Sequence, residues 1–171
     1  MARDPQELLQ KRAQMIARRP AETEEASSTI MVVEFLLFPE WYAVDTSFVT
    51  EVLPLRNMTS LPGTPPFVVG IMNLRGKIIS ILNLKSFFNL PQKGLSAQNR
   101  VIVLKHQAME FGIVTDDISS TRTIKLETLS KPPASLHNAG TAYIQGVTPK
   151  GVILLNAKAL LTSNAIIINQ K

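Results

Sequence analysis

Two histidines, His106 and His137, and the adjacent carboxylates Asp116 and Asp117 are where an active site would have to be sought in this chain. His106 follows a strand-like run and His137 sits in a polar loop, and neither has a second histidine at metal-ligand spacing, so surface positions are expected for both. Asp116 and Asp117 could be read as paired carboxylates. Neighbouring strand residues point to opposite faces, however, and a cap or turn role is the expectation instead. With zero cysteines the chain has no thiol nucleophile, no thiolate zinc site and no disulfide framework. That composition fits a reducing compartment such as the cytoplasm. No glycine-rich phosphate loop occurs. Neither catalysis nor a metal or cofactor is expected.

Binding is the remaining class, and charge is its first clue. The net charge is +5 at pI ≈ 9.7. Residues 1–29 balance Arg3, Lys11, Arg12, Arg18 and Arg19 against Asp4, Glu7, Glu22, Glu24 and Glu25, so the excess belongs to residues 30–171. There Lys and Arg are scattered singly, without aromatic interleaving. Nucleic-acid binders gather charge and add stacking platforms, so a small nucleic-acid-binding barrel is the alternative reading and the weaker one. It would show steeply salt-dependent affinity for RNA or DNA. The start of the chain has no apolar signal region, and no apolar run approaches bilayer-spanning length, so a soluble protein without membrane insertion is expected.

Stepping along the chain, Asp4 can cap a helix that begins at Pro5, with Glu7 at the capping-box position. Leu8, Leu9, Arg12, Ala13, Met15 and Ile16 form one face of it. Pro20 and the polar stretch after it read as a linker. A helix of about fifteen residues is marginal alone in water, and deleting residues 1–28 is expected to leave the rest folded. From Thr29 the pattern turns β, with Ile30-Met-Val-Val-Glu-Phe-Leu-Leu-Phe, Trp41-Tyr-Ala-Val and Ser47 to Leu53. Leu61-Pro-Gly-Thr-Pro-Pro must be a connector. Strands are predicted at Phe67–Asn73 and Lys77–Asn83, joined tightly through Leu74-Arg75-Gly76, where Gly76 can take a positive φ. More are predicted at Arg100–Leu104, Glu110–Thr115, Thr121–Leu126 and Val152–Leu155. This spacing suits barrels or sandwiches rather than βαβ units.

Three echoes run through the chain in order. Phe67-Val-Val-Gly-Ile matches Tyr143-Ile-Gln-Gly-Val, and Ile81-Leu-Asn-Leu-Lys matches Leu154-Leu-Asn-Ala-Lys. Glu40-Trp-Tyr-Ala-Val matches Glu110-Phe-Gly-Ile-Val, with a gap after the glutamate in one copy. Two similar small β-barrels follow, with Gly70 equivalent to Gly146 and Asn83 to Asn156.

Ala43-Val-Asp, Val49-x-Glu51-Val, Leu61-Pro-Gly-x-Pro-Pro-Phe, Gly70-Ile-Met-Asn-Leu-Arg-Gly-Lys and Gly112-Ile-Val-x-Asp together resemble the successive signatures of CheW domains, from about Thr29 to Leu161. Ser80 and Asn83 depart from the family's frequent proline and aspartate, and Asn83 can still cap a helix. The resemblance implies an all-β fold of two SH3-like five-stranded barrels within residues 29–161. Residues 1–28 would be a helical extension and 162–171 a tail. It implies a non-enzymatic, cytoplasmic adaptor at membrane-associated receptor arrays, coupling chemoreceptor tips to a CheA-type histidine kinase and meeting other CheW-like domains. It further implies that Val49, Glu51, Gly70 and Arg75 form or border a receptor-binding surface, with Glu51 and Arg75 as a mutual ion pair.

Overall fold

Runs of three to nine residues, most of them rich in Val and Ile, become ten strands in the computed structural model, which describes residues 28–91, 94–96, 98–132 and 142–167. They are β1 (Thr29–Leu37), β2 (Glu40–Asp45), β3 (Val49–Pro54), β4 (Val68–Leu74), β5 (Lys77–Leu82), β6 (Arg100–His106), β7 (Met109–Thr115), β8 (Asp117–Lys125), β9 (Ile144–Val147) and β10 (Ile153–Leu155). Among the described residues three short helices accompany them: α1 (Leu84–Phe87), α2 (Ala157–Leu161) and α3 (Asn164–Ile167). The helix expected around Leu8–Ile16 lies outside the described residues, as does His137.

The strands form two five-stranded sheets, β3-β6-β7-β5-β4 and β8-β1-β2-β10-β9. Each has one parallel pair, β5 with β7 and β10 with β2, among antiparallel ones. Gly70 of β4 stands opposite Ile81, and Gly146 of β9 stands opposite Leu154. Across the parallel pairs, Gly112 meets Ile81 and Ala43 meets Leu154. Asn83 and Asn156 cap α1 and α2, accepting hydrogen bonds from the Lys85 and Ala159 amides. Their own amides donate to the Phe67 and Tyr143 carbonyls, 2.7 Å in both cases. The three echoes therefore occupy equivalent strands. Register irregularities recur as well, at Val49/Glu51 and Val33/Phe35, and at Val68/Gly70 and Leu154/Leu155.

Each sheet closes on itself. After β3 the chain returns to the free edge of β4, where Thr59 and Ile71 exchange backbone hydrogen bonds of 2.9 and 2.8 Å. After β8, Ser130 and Val147 do the same at 2.9 and 3.0 Å. The result is two SH3-like barrels, barrel I (β3 to β7) and barrel II (β8 to β10 with β1 and β2). The sequence repeats as β1–β5 and then β6–β10, so each barrel combines three strands of one half with two of the other.

Three cores follow from the alternation of side chains. Met72, Ile79, Ile81, Val101, Val103 and Val114 fill barrel I. Val32, Ala43, Ile124, Val152 and Leu154 fill barrel II. The largest cluster draws on both sheets and joins the barrels, with Phe35, Tyr42, Leu104, Phe111, Ile153 and Leu160 among its members. Strand β6 contributes to two cores at once, which is why Val101-Ile-Val-Leu is apolar without alternation and wholly buried. Within the shared core Tyr42 lies against Phe35 with ring centroids 6.1 Å apart. Burial, helped by the nearby Glu40 charge, pushes its phenol up to about 12. Ile166 of α3 is 1% exposed in the same core, so packed chain continues past the boundary expected at Leu161.

Candidate functional site

The two-residue connection between β4 and β5 is set by Leu74 pairing with Lys77. Arg75 and Gly76 take φ of 54° and 85°, the left-handed pair of a type I′ turn, whose twist suits the hairpin. The Asn73 side chain holds the turn by accepting the Gly76 amide at 2.8 Å. Glycine meets this geometry without strain, but an arginine in the left-handed region costs about 1–2 kcal/mol. Such strain, at a tip that contributes nothing to a core, points to a role for the side chain outside the fold.

Glu51 lies on β3, at the opposite end of the strand order from β4, and barrel closure brings the two ends together. Arg75 Nη1 reaches Glu51 Oε2 at 3.3 Å. The arginine side chain is 81% exposed and the glutamate 23%, so the pair is worth about 0–1 kcal/mol and does not decide stability. It orients a guanidinium whose remaining donors face solvent. Guanidinium stays charged at any physiological pH and presents a rigid fork to carboxylates or peptide carbonyls.

The other two expected residues are built differently. Val49 opens β3 opposite Leu104, half-buried and packed on the shared core. Gly70 is buried beneath the returning chain, and a Cβ there would sit 2.3 Å from the Thr59 carbonyl oxygen. Its first duty is to let barrel I close. The structure thus joins Glu51 to Arg75, sets Val49 at the root of the same strand, and gives Gly70 a packing reason.

The remaining polar residues are accounted for locally. His106 is half-buried with its ring 5.7 Å from that of Phe48. Asp117 accepts the Ile118 amide at 2.8 Å. Asp116 binds the buried Lys85 ammonium and accepts the Phe38 amide at 2.7 Å, with Asn99 Nδ2 at 3.4 Å from its other oxygen. It ties α1, the β1–β2 turn and the approach to β6 together, a structural hub where sequence reading expected a cap or turn role. Two further ion pairs went unread: Lys77 with Glu110 at 2.9 Å, and Arg122 Nε with Glu34 Oε1 at 2.8 Å. Glu34 had a signal, being the one charge inside an apolar run. Among the described residues there is no group of three or more metal-ligating side chains, and no helix is long and apolar enough to cross a membrane. Four cations, Arg75, Lys77, Lys85 and Arg122, are engaged by carboxylates, which weakens the nucleic-acid reading further.

Comparison with known proteins gives one consistent answer. The family model described as a CheW-like domain matches residues 31–165. A chemotaxis protein CheW of Treponema pallidum is 30% identical over 79% of this chain and 84% of its own length. Protein PilI of Pseudomonas aeruginosa is 28% identical over 78% of this chain and 74% of its own. The crystal structure of the scaffolding protein TtCheW from Thermoanaerobacter tengcongensis superposes with a TM-score of 0.70 at 30% identity, covering 80% of this chain and 90% of that one.

Proposed function

The chain belongs to the CheW-like domain family, and we propose that the edge of barrel I where Glu51 meets Arg75 is its receptor-facing surface. It is a non-enzymatic adaptor of chemotaxis or pilus-type taxis signalling. In the proposed assembly it works in the cytoplasm, holding a chemoreceptor tip and a CheA-type histidine kinase together and meeting other CheW-like domains. The folded adaptor unit is residues 28–166. One observation carries the surface assignment: Arg75 is held in left-handed backbone at a projecting tip, with its charge oriented by Glu51 and open to a partner.

Val49 supports that surface from the root of β3, and Gly70 supports it by permitting closure. A desolvated arginine contact at the centre of an interface is worth about 2 kcal/mol or more on truncation, roughly thirtyfold in affinity. The test uses Arg75→Asn beside Arg75→Ala, because asparagine tolerates the left-handed turn while removing the charge. Both variants should bind a receptor cytoplasmic fragment about thirtyfold more weakly and bind the kinase as wild type does. Wild-type receptor affinity in a normally melting variant would defeat the assignment.

A further inference from the structure

A cavity of about 320 Å³ opens in barrel II between β8 and the β9–β10 connection. That volume falls within the range of small-molecule sites, ~300–1,000 Å³. Glu34 is the one carboxylate lining it, against three cations, Arg122, Lys125 and Lys150. Glu34 Oε1 takes the Arg122 Nε at 2.8 Å, which leaves the Nη groups of a half-exposed guanidinium without a carboxylate. Lys125 and Lys150 have no carboxylate partner among the described residues. The lining is therefore cationic, and its excess charge is unanswered within the described fold.

Ordered backbone carries these charges. Arg122 lies on β8 opposite Val32 of β1, and its guanidinium is oriented by Glu34. Lys150 sits in a tied loop, where the Thr148 amide donates to the Val152 carbonyl and the Gly151 amide to the Thr148 carbonyl, both at 2.9 Å. Thr148 Oγ1 accepts the Val152 amide at 3.0 Å, so its own proton is left to donate. Ile124 and Pro149 add apolar wall, as do the aliphatic stems of the two lysines. Such a site suits a ligand with a compact anionic head and an apolar body, and orders little on binding it. A phosphate monoester carries close to two negative charges at neutral pH and presents three acceptor oxygens, which an arginine fork can take in pairs. A single carboxylate would leave part of the excess charge unbalanced.

We propose that this cavity binds a small organic phosphate, with its phosphoryl oxygens on the Arg122 Nη groups, Lys125 and Lys150, and its apolar body against Ile124 and Pro149. The site lies in the barrel that does not carry Arg75, so it stands apart from the receptor-facing assignment.

Titrating the full chain with phenyl phosphate while following backbone amide resonances tests this. Saturable shifts are expected at Thr123, Thr128, Thr148 and Lys150. Inorganic phosphate, which lacks the apolar body, should bind the same residues about tenfold more weakly. Benzoate, with the ring but a single charge, should also bind more weakly, and phenol should leave the spectrum unmoved. The Lys125→Gln/Lys150→Gln variant removes two exposed charges, so it should melt as wild type does and lose at least about tenfold in phenyl phosphate affinity. Equal affinity in wild type and variant overturns the proposal, as do shifts spread over Lys77, Lys105 and Lys158 or no saturable shift at millimolar probe. Benzoate binding as tightly as phenyl phosphate overturns the choice of a dianion. A phosphoserine peptide that binds the cavity much more tightly than phenyl phosphate would assign it to a partner protein and overturn the small-molecule reading. None of these measurements involves receptor or kinase, so their failure leaves the assignment of Arg75 untouched.

Discussion

Where barrel I carries Val103, fully buried opposite Gly112, barrel II carries Glu34 opposite Ala43 and pairs it with Arg122. The hairpins differ too. In barrel I the β4–β5 ladder runs on through Asn73–Ile78 and Leu74–Lys77 before turning at Arg75. In barrel II the corresponding ladder ends at Val147–Ile153, and Thr148 and Val152 bracket a short loop, joined by a 2.9 Å backbone hydrogen bond. One strand plan has thus diverged in opposite directions. Barrel I has an apolar interior and presents its charge on a projecting tip, whereas barrel II admits charge into its wall and lines a cavity between β8 and the β9–β10 connection with Arg122, Lys125 and Lys150. The plan depends on the closing bridges and the shared core, which both barrels keep; the interior and the hairpin length are free to vary.

The sharpest way to break that comparison is to exchange the two equivalent wall residues. Val103→Glu buries a carboxylate without a partner and should cost about 3–5 kcal/mol in chemical denaturation. Glu34→Val leaves Arg122 49% exposed and still hydrated, so a change within about 1 kcal/mol is expected. Comparable losses would mean that the two interiors are equally polar in practice. The equivalent glycines give the next largest effect. Gly70→Ala drives a Cβ to 2.3 Å from a backbone oxygen, while the nearest atom at Gly146 is the Leu129 Cβ at 2.8 Å. Losses of about 3 and about 1–2 kcal/mol are expected by thermal melting, and the reverse order would show that closure is tighter in barrel II.

Tyr42 stands where barrel I has Phe111, and its phenol offers a smaller test. Its folded pKa, about 12 against the usual 10, favours the neutral form. The associated stability is fully present below pH 10 and is lost as pH rises from 10 to 12. Tyr42→Phe should flatten stability across that window and change it by less than about 1 kcal/mol at neutral pH. An unchanged alkaline slope would place the ionisation elsewhere. The smallest effect is expected at the tip: Arg75→Asn should alter stability by no more than about 1 kcal/mol, since the ion pair is exposed and asparagine accepts the turn.

Much of this architecture could be read beforehand because it repeats. Gly70 and Gly146, or Asn83 and Asn156, are legible since a closing chain and a helix cap each demand a particular residue type. The Arg75 connection was legible because Gly76 marks a tight hairpin. The left-handed backbone of Arg75 itself was not, for nothing in an arginine advertises positive φ. Nothing in the sequence marks Lys85 for burial; its burial depends on Asp116, thirty-one positions away in the chain, and only the fold brings them together. The reach of β8 back to Asp117 was missed because Ser119-Ser-Thr-Arg has no apolar alternation, its outer face being exposed. Ile166 lies beyond the stretch that resembles the family, and its place in the shared core is visible only in the fold.

The exchange of strands between the two halves of the sequence has a consequence for how the molecule can come apart. Neither half owns a complete barrel: β1 and β2 close the barrel begun by β8, and β6 and β7 complete the one begun by β3. Peeling one half away would open both barrels and split the shared core in the same act, leaving no intermediate in which one lobe survives. The chain is in effect a swapped dimer whose two subunits were joined end to end, so that its dissociation and its unfolding have become a single event.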